Sequence, residues 1–393
     1  MTYFQAGLAA DIEMLGTGFD FGFYSTASNF TGSAAGDLLT FEAIEPNTLN
    51  VITGTTAYRF QYTTRDLERQ PHISFRPDAK FPVVAYAHCI IGVFAGCPPT
   101  TTITTTADLY DYYSWSLLIE NGYAGLGDNA TLHKYLSFPA HASDLYYAIL
   151  SVGRSQGGGA VWKPSESELV QAHGAGEYLG TVALAPVSRI YDMTVLTAET
   201  VLTASKYASY DITYEALWLP LALKRVIPRI DLSFFCDTFL QRVDIAELVQ
   251  ACYYSIMSLG YRLRPSEMIR NTSALVNNVP IQAWQNAMAP ANGGTSDTPM
   301  LIAQGLNDTV VLPQINARSF NASCLSGNEV HMSVYADMDH TGVLTASSPE
   351  WLGFIRDRFE RKSTSDRCSV VQRASFDRAH LVTEAESSED ASL

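Results

Sequence analysis

The sequence predicts an α/β fold, in which a mostly parallel sheet is flanked by helices and carries an inserted helical cap. Three observations support this prediction. Short apolar runs recur along the chain, as is typical of strands that are buried on both faces. Stretches with apolar residues at helical spacing lie between these runs. Residues 190–295 break the alternation, because they contain helical patterns and no strand-like run.

The strand candidates are apolar or alternating segments bounded by turn residues. In chain order they are residues 57–66, 80–90, 181–187, 299–306 and 330–336. Apolar residues at helical spacing predict helices over residues 107–121, 138–150, 214–227 and 243–259. The second of these runs straight into the apolar segment AILSV.

These elements divide the chain into three parts. Residues 1–189 and 296–362 form the α/β core, and residues 190–295 form the helical cap or lid. Residues 1–50 are rich in Gly, Ser, Thr and Phe and predict an irregular arm over the core. Residues 363–393 are polar and end in an acidic run, so we expect a mostly disordered tail.

Composition excludes several classes of function. The net charge of −15 disfavours nucleic acids and anionic membranes as partners, because both need a basic face. No apolar stretch is long enough for a transmembrane segment, although transient contact with a lipid interface is compatible with the sequence. No metal-ligand cluster or phosphate-binding loop is present, so we expect no metal and no cofactor. We expect a monomer.

The cellular location has conflicting indications. Six cysteines, none in CxxC spacing, lean toward the secretory pathway. Five glycosylation sequons also lean that way, and they begin at Asn29, Asn129, Asn271, Asn307 and Asn321. The N-terminal stretch MTYFQAGLAADIEML lacks the basic and apolar regions of a signal peptide. Secretion is therefore the prediction, and a cytoplasmic location is the alternative.

The segment SVGRSQGGGAVW places Ser155 between Gly153 and Gly157 in a G-x-S-x-G pattern. In this pattern the serine lies on a sharp strand-to-helix turn, which needs small neighbours and lifts Oγ above the sheet. The turn also aims the N–H of Gln156 at a developing oxyanion. A plain glycine-rich loop is the alternative, but the apolar segments on both sides favour a nucleophile.

A serine nucleophile needs a base and an acid that orients the base. Asp308 and His340 follow two predicted strands in the order Ser, Asp, His, although each alone fits an ordinary loop residue. The loop after an earlier strand should supply a second oxyanion donor, and the N–H of Cys89 or Ile90 is placed for it. The alternative is that this loop serves only packing.

Four stretches resemble the fungal secretory lipase family of the α/β-hydrolase fold. They are FPVVAYAHCIIGVFAGC, GLGDNATLHKYL, GRSQGGGAVW, and PMLIAQGLNDTVVLP with VYADMDHTGVL. The resemblance implies a Ser155–Asp308–His340 triad and a helical cap after the strand at 181–187. It also implies that Cys97 pairs with Cys252 or Cys236, and that Cys324 pairs with Cys368.

The chain departs from the family pattern in three ways. Cys89-Ile90 replaces Gly-Thr in the oxyanion loop, and Arg154 replaces the histidine before the serine. The segment ENGYAGLG leaves no room for a strand before GLG, and HASDLYYAILSVGRSQ merges a helix with the strand that leads to the serine. The departures predict internal deletions relative to the family, through either a pared-down relative or a faulty gene model.

These observations predict a serine carboxylic-ester hydrolase, similar to a triacylglycerol lipase, that cleaves hydrophobic acyl esters through an acyl-enzyme. Missing segments would impair it. Two alternatives stay open: an esterase for small esters such as secondary metabolites, and a degenerate, non-catalytic binding protein.

Overall fold

The structure is a computed structural model. It describes residues 2–17, 20, 22–23, 25–34, 37–44, 52–65, 71–74, 83–94, 96–97, 111–121, 124–127, 138, 150–172, 177–364 and 366–374.

The central element is a seven-stranded sheet in which every neighbouring pair of strands is parallel. Its strands are β4 (Val83–Ala87), β5 (Ala124–Gly127), β6 (Leu150–Arg154), β7 (Gly180–Leu184), β8 (Met300–Gly305), β9 (Val330–Tyr335) and β10 (Cys368–Arg373). They lie in the order β10-β9-β8-β7-β6-β4-β5. The predicted α/β class is confirmed.

Helices precede, follow and interrupt this sheet. Outside the insertion they are α1 (Thr2–Leu15), α2 (Tyr112–Glu120), α3 (Gln156–Ser165), α4 (Glu168–Gln171), α13 (Pro313–Leu325), α14 (Gly342–Ala346) and α15 (Ser348–Phe359). Between β7 and β8 are α5 (Ile190–Leu196), α6 (Ile212–Glu215), α7 (Trp218–Val226), α8 (Asp237–Val249), α9 (Tyr253–Gly260), α10 (Pro265–Met268), α11 (Thr272–Val276) and α12 (Val279–Met288). A π-helical turn (Thr197–Val201) extends α5, and a short 3₁₀ turn (Tyr207–Ser209) precedes α6.

The sheet is apolar on both faces, which explains the continuous apolar runs in the sequence. Val84 and Tyr86 of β4 pack on one side, in a cluster with Leu118 and Trp351. Ala85 and Ala87 point to the other side and join a cluster that continues into the helices of the insertion. The same alternation continues along β7 and β8, where Val182 and Leu301 join the first cluster and Ala183 and Ile302 join a separate one on the other face.

The N-terminal arm is more regular than its composition predicts. Residues 2–15 form α1, and β1 (Leu38–Ile44) belongs to a separate antiparallel sheet with β2 (Ala57–Arg65) and β3 (Pro71–Ser74). The expectation of an irregular arm over residues 1–50 was therefore wrong for these segments.

The strands expected to be missing are present. Helix α2 ends at Glu120 and β5 begins at Ala124, so a short connection suffices between helix and strand. Strand β6 lies in the middle of the sheet, between β4 and β7. The expectation that the sheet lacks a strand here was therefore wrong, while internal deletions relative to the family stay a prediction. The helix predicted over 138–150 lies outside the described residues, apart from its two ends.

The long helix predicted over residues 243–259 is two helices. Helix α8 stops at Val249 because Gln250 adopts left-handed backbone angles (φ +55°), and α9 begins three residues later at Tyr253. Cys252 lies in this break and forms a disulfide with Cys97. That bond selects Cys252 over Cys236, which is a free thiol.

The C-terminal region also departs from its prediction. Residues 368–373 form β10, which pairs in parallel with β9 along its whole length. A disulfide between Cys324 and Cys368 fixes its first residue, as the family resemblance implies. The expected disorder of residues 363–393 was wrong for this strand, and residues 375–393 lie outside the described part. Among the described helices, none has the length and apolarity to cross a membrane.

Candidate active site

Ser155 lies between β6 and α3, at the C-terminal edge of the sheet. Its backbone angles (φ +55°, ψ −119°) are strained for a residue with a side chain. Main-chain hydrogen bonds hold this turn: Ser155 N–H donates to Leu184 O (2.8 Å), and Ser155 O accepts from Val187 N–H (2.8 Å). The surrounding sheet therefore enforces the conformation that the G-x-S-x-G motif predicts.

The glycines around Ser155 permit contacts that a side chain would prevent. A Cβ at Gly157 would lie 2.0 Å from Ala87 O, and one at Gly153 would lie 2.2 Å from Gly157 O. Helix α3 can therefore begin directly against the end of β4. The close approach brings the Ser155 turn beside the loop that follows β4.

Asp308 and His340 form a hydrogen-bonded pair. His340 Nδ1 lies 2.8 Å from Asp308 Oδ2, and both side chains are buried. The other carboxylate oxygen accepts from the N–H groups of Val310 (2.9 Å) and Val311 (2.7 Å). Gln304 Nε2 also donates to Asp308 Oδ2 (3.1 Å). These donors fix the carboxylate so that it orients the imidazole.

The loops that carry the pair are joined to each other. Asn307 N–H donates to Met338 O (3.0 Å), which links the loop after β8 to the loop after β9. A Cβ at Gly305 would lie 2.3 Å from Met338 O, so the two loops touch. Asp308 and His340 thus meet because adjacent parallel strands end at one edge of the sheet.

Burial and the neighbouring carboxylate have opposite effects on the charge of His340. Its burial opposes the imidazolium, but the charge of Asp308 and the hydrogen bond to it outweigh that effect. The pKa of His340 is therefore raised above its ordinary value of 6.5. Such an imidazole is a stronger base toward a nearby hydroxyl than an unassisted histidine.

Ser155 and His340 are linked through their neighbours. Among the described hydrogen bonds, none joins Ser155 to His340. Instead Arg154 Nη2, beside the serine, donates to Thr341 Oγ1 (2.9 Å), beside the histidine. The turn that carries Ser155 and the turn that carries His340 are therefore in contact.

Arg154 belongs to a buried cluster that sequence reasoning missed. Its Nη1 lies 3.2 Å from Asp111 Oδ1, and both side chains are almost fully buried. Burial opposes the charge of Arg154, but Asp111 raises its pKa above the ordinary value. No motif surrounds Asp111, so nothing in the sequence marks it as a partner. The charge of Arg154 is thus balanced by a carboxylate inside the fold.

The same carboxylate changes the assignment of the oxyanion donors. Asp111 Oδ2 accepts the N–H of Cys89 at 2.5 Å. Cys89, one of the two predicted donors in this loop, therefore has its N–H engaged elsewhere. Gln156 is the first residue of α3, where an N–H has no acceptor within the helix. Ile90 and Gln156 both reach the cavity at Ser155.

An apolar cavity opens at Ser155. The sheet side contributes Ser155, Gln156, Ile90 and Val187. The insertion contributes most of the remaining wall, including Met193, Leu202, Glu215, Trp218, Phe235 and Phe239. Ser155, Gln156 and Ile90 are thus brought together on one cavity, while Asp308 and His340 lie beside it as a pair.

Comparison with known proteins identifies the architecture. No family model matches the sequence, and no curated protein matches it. Among solved structures, lipase A of Candida antarctica in its closed state superposes with a TM-score of 0.67 at 14% identity, covering 89% of this chain and 88% of that one. The rice cell wall degrading esterase LipA of Xanthomonas oryzae superposes with a TM-score of 0.57 at 13% identity, covering 84% and 100%.

The chain has an α/β-hydrolase fold. In this fold the strained serine turn, the acidic residue after β8 and the histidine after β9 occupy the C-terminal edge of the sheet. At these identities the likeness concerns the fold, and the chemistry follows from the side chains themselves.

Proposed function

We propose that this protein is a serine carboxylic-ester hydrolase that cleaves hydrophobic acyl esters. Ser155 is the nucleophile, His340 is the general base, and Asp308 holds the imidazole and stabilises its charged form. The hydroxyl of Ser155 loses its proton to His340 as it attacks the ester carbonyl. The acyl-enzyme that forms is then hydrolysed by water, and no cofactor or metal takes part.

One observation carries the proposal. Ser155 has strained backbone angles and lines an apolar cavity. The preceding residue, Arg154, donates a hydrogen bond to Thr341, which directly follows His340. His340 in turn is buried and paired with the carboxylate of Asp308. Strain of this kind is retained where function requires it. An ordinary glycine-rich loop would need neither the strained backbone of Ser155 nor the buried Asp308–His340 pair.

The oxyanion is assigned to the N–H groups of Gln156 and Ile90. Both residues line the cavity beside Ser155, and the N–H of Cys89 is held by Asp111. In hydrolases of this fold the residue after the nucleophile and a loop after an earlier strand supply these donors. Loss of one such donor typically costs about 2.7–4 kcal/mol of transition-state stabilisation.

The substrate is assigned from the cavity. Its walls are mostly aliphatic and aromatic, which suits the acyl chain of a lipid-like ester. Residues 190–295 act as the cap in this proposal, because their side chains close the cavity opposite Ser155. A lipase and an esterase are among the structures of similar fold, which agrees with this class. Two disulfides fit a secreted protein. We propose a monomer that touches lipid interfaces only transiently.

A fluorophosphonate probe tests the proposal, because it reacts only with an activated serine. We expect labelling of the wild-type protein and of Ser205→Ala, an exposed serine of the insertion. We expect none for Ser155→Ala and strongly reduced labelling for His340→Ala. Circular dichroism checks that each variant is folded. A folded wild-type protein that is not labelled contradicts the proposal.

A second candidate function is a non-catalytic, hydrolase-like binding protein. The engaged N–H of Cys89 favours it, because one predicted oxyanion donor is unavailable. The probe separates the two candidates. If labelling succeeds, p-nitrophenyl esters from acetate to palmitate separate a lipid-type hydrolase from an esterase for small esters.

A further inference from the structure

Glu215 places a carboxyl group in the wall of the proposed acyl cavity. It is the last residue of the short helix α6 and lines the same cavity as Ser155 and Gln156. Among the described residues that line this cavity, Glu215 is the only ionisable one. Its neighbours in the cavity wall, Ile212, Ala216 and Leu219, are apolar.

The position of α6 is fixed by the loop that carries Asp308. Thr309 Oγ1 donates to Asp211 Oδ2 (3.0 Å), and Ile212 N–H donates to Thr309 O (3.1 Å). Glu215 follows one helical turn later, and its N–H donates to Asp211 O (3.1 Å). The fold therefore holds the Glu215 backbone in a defined place relative to the Asp308–His340 pair.

The carboxyl of Glu215 is poorly satisfied by the protein. Its one side-chain hydrogen bond among the described residues is a long one from Tyr253 Oη (3.4 Å). Asp308, by contrast, accepts from Gln304, from His340 and from two backbone N–H groups. A carboxyl with unused acceptor capacity beside an apolar wall is costly unless a further donor meets it.

The charges around Glu215 favour a neutral donor. Burial raises the pKa of Glu215 to about 7, with His340 opposing that rise and Asp211 and Asp308 adding to it. The raised pKa favours the neutral carboxyl, and in that form the group can both accept and donate. An ammonium group would have to lose its water in the same apolar cavity, and a carboxyl whose charged form is disfavoured compensates that loss poorly.

We propose that Glu215 is a specificity-determining residue that binds a hydroxyl group on the acyl chain, so that the enzyme prefers esters of hydroxylated fatty acids. This inference rests on the proposed hydrolase function and on the placement of the acyl chain in the cavity. The hydroxyl donates to the carboxyl of Glu215, while the rest of the chain packs on the apolar wall. A plain chain leaves Glu215 without this donor and is the poorer substrate.

The test compares p-nitrophenyl octanoate with its monohydroxylated isomers, with the hydroxyl moved along the chain from the second carbon to the last. For the wild-type enzyme we expect one or two isomers to exceed octanoate in kcat/KM by about tenfold or more. Glu215→Leu should abolish this preference and speed hydrolysis of octanoate. Glu215→Gln should keep most of it, because the amide oxygen still accepts. Glu199→Leu and Glu199→Gln, on the exposed surface of the insertion, should behave as wild type.

Each other outcome is decisive. A wild-type enzyme that prefers no hydroxylated isomer overturns the inference, whether or not the variants fold. So does a preference that survives in folded Glu215→Leu. A preference for a trimethylammonium-tipped octanoate that Glu215→Gln abolishes, without any hydroxyl preference, overturns the choice of a neutral donor. Failure of Ser155 to react with fluorophosphonate contradicts the hydrolase function itself. If the protein is labelled but Glu215→Leu has the same substrate preference as the wild type, only the role of Glu215 is contradicted.

Discussion

Asp308 shows how a single residue controls the chemistry proposed for its neighbour. The carboxylate accepts hydrogen bonds from Gln304, Val310 and Val311, and these leave its remaining capacity for His340 Nδ1. The side chain is buried, so its charge acts on the imidazole with little screening. The pair therefore sets both the orientation of His340 and the pH at which the imidazole becomes a base.

Asp308→Asn tests this control through the pH dependence of kcat/KM on a p-nitrophenyl ester. Activity needs neutral His340, whose pKa lies above its ordinary value, so the wild-type rate rises with pH through that raised pKa. Without the carboxylate this limb should move to lower pH, and kcat should fall by about 10⁴-fold, as for other triads. Asp244→Asn, on the surface of α8, serves as the control. An acid limb that stays in place in Asp308→Asn would contradict the assignment.

Arg154 and Asp111 form a pair whose members depend on each other. Arg154→Met leaves the Asp111 carboxylate buried without its cation, and Asp111→Asn leaves the guanidinium without its anion. Each single change should lower the free energy of unfolding by about 3–5 kcal/mol, and the double variant should lose less than the sum. Denaturant titration measures all three.

The exposed pair of Lys224 with Asp244 provides the matched control for this cycle, since its charges are hydrated. Lys224→Met should cost less than about 1 kcal/mol. Strictly additive losses at Arg154 and Asp111 would mean that the two side chains do not act as a pair.

The contact between α3 and β4 determines how closely the serine turn approaches the oxyanion loop. Gly157→Ala places a methyl group against Ala87 O, with no flexible side chain able to give way. We expect a loss of about 1–3 kcal/mol in the free energy of unfolding, together with strongly reduced fluorophosphonate labelling. Gly353→Ala in α15 is the matched control, because its Cβ would meet only the end of the Arg356 side chain. Unchanged stability and labelling in Gly157→Ala would show that the contact is not tight.

Elements with an apolar signature could be predicted from the sequence, and elements held by other forces could not. The strands β4, β7 and β8 are buried at every residue and β9 at four of its six, and all four read as apolar runs. Helix α1 packs through Gly7 and Asp11, whose carboxylate accepts from the N–H groups of Tyr254 and Ser255. Its buried face is thus partly polar, and hydrophobic periodicity does not reveal it.

The edge strands were missed for a related reason. Most residues of β10 are exposed, so this strand depends on main-chain pairing with β9 and on the Cys324–Cys368 bond. Strand β5 has only four residues, too few to show a pattern. In the site, the order Ser155, Asp308, His340 was visible as a motif. The partners Asp111 and Glu215 were not, because their roles arise from tertiary contact between distant segments.

Two disulfides join distant parts of the whole molecule. The Cys324–Cys368 bond closes a loop over a sequence separation of 44 residues, and the Cys97–Cys252 bond closes one over 155. Cross-links over such spans restrict the unfolded chain strongly. The free energy of unfolding should therefore be lower under reducing conditions, in which both bonds are broken.

The variant Cys324→Ser/Cys368→Ser should lower the free energy of unfolding by about 2–4 kcal/mol under oxidising conditions. Cys236→Ser, at the free cysteine of the insertion, should leave it nearly unchanged. Urea titration with and without a reductant measures both. Equal unfolding midpoints for the double variant and the wild type would contradict the expected contribution.

The Cys97–Cys252 bond also has a mechanical consequence. Cys97 follows Ile90 downstream of β4, and Cys252 immediately precedes α9, whose first residue, Tyr253, donates to Glu215. The bond ties the start of α9 to the segment that follows Ile90, so neither can move far without the other. Helix α5 and the π-helical turn after it line the same cavity and contain no cysteine. If the proposed hydrolase admits its ester by a movement of the insertion, we expect the displacement on the side of α5 and not at α9, and reduction of the bond should remove that asymmetry.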